Sequence, residues 1–80
     1  NPTTTISFSV AQTSSFVNLD IYNMKGQMVK TLVNKKMDAG THQIVWNGND
    51  ENNKPVSSGM YLYKLKNGTY SSTKKMILMK

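Results

Sequence analysis

The sequence predicts an all-β fold, a sandwich of two antiparallel sheets packed face to face, and three observations predict it. Six segments alternate apolar and polar residues with period two between turn signals, at roughly eight-to-twelve-residue spacing. Nowhere do ten consecutive residues show the i, i+3, i+4 recurrence of an amphipathic helix. A single sheet of six or seven strands would leave one apolar face wet, so two packed sheets are the economical solution.

The first strand follows Asn1-Pro2, which reads as the end of a linker and gives the chain the look of a domain cut from something longer. Across 5–10 the alternation puts Ile6, Phe8 and Val10 on a buried face, and residues 11–15 form a turn. The second strand, 16–22, sends Val17, Leu19 and Ile21 inward and Asn18, Asp20 and Tyr22 outward. Asn23, Met24, Lys25 and Gly26 read as a hairpin turn whose glycine takes positive φ. The return strand, 27–33, is apolar on both parities at Met28, Val29, Leu32 and Val33, so it carries a bulge or is covered on both faces as a central strand.

Residues 34–40 are expected to be a charged crossing loop, followed by a strand over 41–46 with His42, Ile44 and Trp46 on one face. Residues 47–58 are too polar to be buried. From Gly59 to Lys66 alternation returns, with Tyr61, Tyr63 and Leu65 inward. Asn67-Gly68 as a two-residue turn would pair Leu65 with Tyr70, Tyr63 with Ser72 and Tyr61 with Lys74, in a last strand running from Thr69 towards Lys80.

With 80 residues the chain forms one domain, 1–80, that buries about 60 to 65% of its unfolded surface. Lacking cysteine, it has neither disulfide nor thiolate metal site, and apolar packing alone must hold it. The net charge of +6 comes from ten lysines and no arginine. Without the planar fork of arginine, the excess argues against specific nucleic-acid recognition and for diffuse attraction. No apolar run is long enough to span a bilayer, and no amino-terminal signal pattern is present.

Candidate chemistry is sparse. His42 lies mid-strand among apolar neighbours with no nucleophile or orienting acid singled out, so no enzyme is expected. The 47–53 loop offers oxygen atoms but lacks the closing bidentate glutamate of a calcium loop, so turn hydrogen bonds are its expected use and no cofactor is expected. Asn67-Gly68-Thr69 fits a glycosylation sequon, although a hairpin turn already explains it. Trp46, Tyr61, Tyr63 and Tyr70 would serve a sugar platform only if exposed in one plane. The segment Lys74, Lys75, Met76, Ile77, Leu78, Met79 and Lys80 reads as a charge-guarded edge strand and as a recognition tail, with two of its four apolar side chains turned outward.

Taken in order, Asn1 to Phe8, Ile21-Tyr22-Asn23 with Lys25-Gly26-Gln27, Ala39 to His42, Trp46-Asn47-Gly48, Ser58 to Tyr63 and Lys75 to Leu78 resemble the type A carboxyl-terminal sorting domain of the type IX secretion system. The same set is similar to the immunoglobulin-like domain of flagellar hook-capping proteins. What the resemblance implies is an immunoglobulin-like sandwich of about seven strands at the end of an exported bacterial protein, and the domain is expected to be monomeric. It further implies a secreted or cell-surface location, secretion-machinery proteins as partners, removal by a sortase-like peptidase, and a signal carried by residues 74–80. Where the family commonly has an acid after the tryptophan, Asn47 stands here. The alternative is a structural or assembly module, hook-capping-like, or a spacer or carbohydrate-binding accessory domain of an extracellular protein.

Overall fold

The computed structural model describes residues 3–10 and 15–79, with Ser15 described in its backbone only. The linker reading of Asn1-Pro2, residues 11–14 of the turn expected over 11–15, and Lys80 therefore lie outside the described residues, while Ser15 of that turn belongs to a strand. Six strands run in order: β1 (Thr4–Val10), β2 (Ser15–Asn23), β3 (Met28–Met37), β4 (Gly40–Trp46), β5 (Gly59–Asn67) and β6 (Tyr70–Leu78). They form a two-stranded sheet, β1-β4, and a four-stranded sheet, β3-β2-β5-β6, with every pairing antiparallel.

The two sheets share one core. Ile6, Phe8, Val10 and Trp46 come to it from the small sheet, and Val17, Leu19, Ile21, Val33, Tyr61, Leu65 and Leu78 from the large one. These are the positions that period-two alternation turns inward on β1, β2 and β5, so strand parity alone assigns most of the core. Tyr63 is half-buried and packs against the same cluster.

The fold has six strands among the described residues where the resemblance implies about seven. The expected crossing loop is mostly strand, because residues 34–37 continue β3 and pair with β2, Ser15 opposite Met37 and Asn18 opposite Asn34. Only Asp38 and Ala39 then separate β3 from β4, which leaves no chain for another strand there.

The doubled apolar pairs of β3 have a local cause. Register shifts between Leu19/Asp20 and Ile21/Tyr22 leave Leu32 and Val29 unmatched on β3, and each extra residue reverses the parity beyond it. Both pack against the core. The bulge alternative holds, whereas β3 is an edge strand and β2 the covered one. That central place also corrects Asp20, which was expected in water: it is buried, and its Oδ1 accepts a hydrogen bond from Thr31 Oγ1 at 2.8 Å.

The last hairpin differs by a two-residue shift of register. Asn67 pairs with Tyr70, Leu65 with Ser72, Tyr63 with Lys74 and Tyr61 with Met76, so the turn residues are Gly68 and Thr69. Gly68 has φ +63° while Thr69 keeps negative φ, the arrangement of a turn with glycine at its first central position. Asn67 is held in the strand by pairing with Val17 and by its Nδ2 donating to Phe16 O at 3.0 Å. A shift of two residues preserves parity, so every inward side chain remains inward.

Candidate functional site

Two regions carry the chemistry that the sequence singles out, the loop after Trp46 and the strand that ends the fold. Trp46 is fully buried, stacks edge-on against Tyr61 at 5.1 Å, and donates from Nε1 to Asn49 O at 2.9 Å. The loop therefore satisfies the one polar atom of the indole, without which burial would be costly. Tyr61 is anchored in turn, its hydroxyl donating to Ser57 O at 2.6 Å, and burial raises its pKa above the usual tyrosine value.

Within the loop, Asn49 and Pro55 form an isolated bridge, and Asp50 organises the turn between them. Its Oδ1 accepts from Asn52 N at 2.9 Å and Lys54 N at 3.0 Å, and its carbonyl accepts from Asn53 N. Asn47 Oδ1 accepts from Asn49 N, and Asn53 Oδ1 accepts from Asn49 Nδ2. Asn53 sits at φ +61°, a conformation asparagine tolerates better than most residues. The buried Gly48, at φ +78°, accepts from Val56 N and starts the fold-back. The expected self-satisfied turn is thus present. Among the described residues no group of three His, Asp or Glu side chains could hold a metal ion.

Glu51 has a role that strand patterning does not reveal. Its backbone N–H donates to Val29 O at 3.1 Å, and its Oε1 accepts from Thr31 N at 3.2 Å, so the loop tip pairs with the outer edge of β3 beside the bulges. The only sequence signal is one acid in a loop of uncertain path. His42 is structural: it lies 5.7 Å from the Phe8 ring, and Nε2 donates to Asp38 O at 2.8 Å. The sequon nitrogen of Asn67 is engaged in its bond to Phe16. Trp46 and Tyr61 are buried while Tyr70 is exposed, so the aromatic residues form no common exposed plane.

The segment 74–80, expected from the sequence to be a recognition tail, lies mostly on β6, at an edge of the large sheet. Leu78 is buried in the core and Met76 packs against it from the same face. Ile77 and Met79 point away from the core, 59% and 78% exposed, as parity requires of two of the four. Lys74 and Lys75 are exposed on opposite faces of the strand, and Lys80 lies outside the described residues.

The family described as FlgD Ig-like domain matches residues 1–72. The chain belongs to the FlgD Ig-like domain family. A solved structure similar to it, the crystal structure of FLGD from P. aeruginosa, superposes with a TM-score of 0.75 at 22% identity, over 95% of this chain and 59% of that one. At that identity the likeness concerns the fold, and the chain spans well under two thirds of the FLGD chain. No curated protein matches. Of the two resemblances in the sequence, the hook-capping one is the one these findings support. The matched residues end before Thr73, so they do not bear on the segment 74–80.

Proposed function

We propose that the chain is a non-catalytic immunoglobulin-like structural module, acting in the assembly of a larger extracellular protein. The observation that carries this reading is family membership over residues 1–72, which includes β1 to β5 and the Trp46 loop. It agrees with the local chemistry: the side chains best suited to reaction or ligation, His42, Asp50 and Glu51, are all engaged in holding the backbone. Such a domain contributes shape and surface, and its partners are proteins that recognise them.

A second reading is favoured by one feature of β6. Ile77 and Met79 are apolar, outward and next to lysines on an edge strand, which suits strand-wise recognition by secretion machinery and removal by a sortase-like peptidase. Under this reading the domain directs a cargo across the outer membrane to the cell surface.

The two are separated in the protein that carries the domain by comparing Trp46→Ala, which strongly destabilises the module, with the double variant Ile77→Ser/Met79→Ser, which leaves the core intact. The assembly reading expects the first to block incorporation and the second to assemble normally. Failure of the double variant to leave the cell would instead support sorting.

A further inference from the structure

We propose that the edge of β1 left unpaired among the described residues is a binding site for an extended, carboxylate-bearing peptide segment of another protein, which joins the small sheet as a third strand. This goes beyond the module reading and does not depend on it. The small sheet has two strands and faces a sheet of four, so it cannot cover the whole inner face. Beside this edge of β1 lies a cleft of about 230 Å³, floored by Phe8 and Leu65, whose lining also includes Ser7 and Ser9 of β1, Tyr63 of β5, and Tyr70, Ser72 and Lys74 of β6. The three β6 residues lie opposite Asn67, Leu65 and Tyr63, so they belong to the inner face, yet they are polar and Tyr70 is 57% exposed.

The edges of the sheets are guarded unequally. β3 is paired at its bulges by Glu51 and carries Lys30, Lys35 and Lys36, and β6 carries Lys74 and Lys75. β1, Thr-Thr-Ile-Ser-Phe-Ser-Val, has no charge and no proline, and pairs with β4 over its whole length without a register shift. A regular, uncharged edge is a template for strand addition. β4 also lacks charge, but the cleft adjoins β1. A strand added at the usual spacing of about 4.8 Å from β1 would extend the small sheet over β5 and β6.

Charge selects the occupant. Lys74 enters the cleft and no lining residue is acidic, so an Asp or Glu on the inward face of the added strand would meet it. A second copy is disfavoured, because each chain carries +6 and would bring another Lys74 to the same place.

The test uses the folded domain and a capped peptide, Thr-Val-Thr-Glu-Thr-Val-Thr, whose two valines and glutamate share one face. Amide NMR titration should give saturable shifts at residues 7–9 and 70–74 below about 1 mM, with slowed exchange of β1 amides. Lys74→Glu should weaken binding at least tenfold, as should glutamine for glutamate in the peptide. A fully N-methylated peptide should not bind. Several outcomes would overturn the site: no shifts at several millimolar, shifts confined to β4 or to 75–79, undiminished binding of the N-methylated peptide, or self-association of the domain through β1.

Discussion

Trp46 joins the core to the loop that follows it, because its ring fills the space between the sheets while its N–H is satisfied by the Asn49 carbonyl. Trp46→Ala should therefore cost about 3 to 5 kcal/mol in chemical denaturation, a large share of the stability of a small domain. Trp46→Phe keeps most of the packing but leaves the Asn49 carbonyl without its donor, and should cost about 1 to 3 kcal/mol. Tyr61 gives a pH prediction. Burial favours its neutral phenol, so the folded pKa lies above the unfolded one. That contribution is fully present below the usual tyrosine pKa and is lost as pH rises through the raised value. Unfolding midpoints measured from neutral pH to strongly alkaline pH should fall more steeply for the wild type than for Tyr61→Phe. Equal slopes would remove Tyr61 as the cause.

Two elements yield predictions of their own. In the Asn49–Pro55 hairpin, Asp50→Ala removes two accepted backbone bonds and should cost about 1 to 2 kcal/mol by calorimetry, with or without millimolar calcium. A calcium-dependent rise of several degrees in the wild type, absent from Asp50→Ala, would make the loop a cation site. On β6, Leu78→Ala should cost about 2 to 5 kcal/mol, since Leu78 is fully enclosed, whereas Ile77→Ser should stay within about 0.5 kcal/mol. A tail deletion thus removes a core residue together with the exposed ones, and substitutions at 77 and 79 are the cleaner probe of recognition.

These elements also show what the sequence carried. Parity was enough for Ile6, Phe8, Val10, Val17, Leu19 and Ile21, because on strands with one buried face the side-chain period is the fold. It also required two of Met76, Ile77, Leu78 and Met79 to turn outward, and the structure shows these to be Ile77 and Met79. It was not enough where a partner strand decides. Lys35 and Lys36 look like loop until β2 is seen to extend alongside them, Asp20 looks solvated until Thr31 is seen across from it, and Asn67 looks like a turn residue until Phe16 is seen to hold it in β5. The Glu51 contact and the β1 cleft arise from how a loop and two sheets meet, and local pattern holds no trace of such meetings.

For the whole molecule, family membership and the structural use of its polar residues point to a module that works through shape. Its positive charge is all lysine, net +6, and association with an acidic partner surface would be salt-dependent. The most direct measurement is the location of a reporter fused ahead of this domain and sent to the periplasm of a bacterium that has a type IX secretion system. If the domain is a structural module, the folded fusion stays in the periplasm, and Ile77→Ser/Met79→Ser changes nothing. Surface display of the wild-type fusion, lost in the double variant while the domain remains folded, would contradict that account and make β6 an export signal.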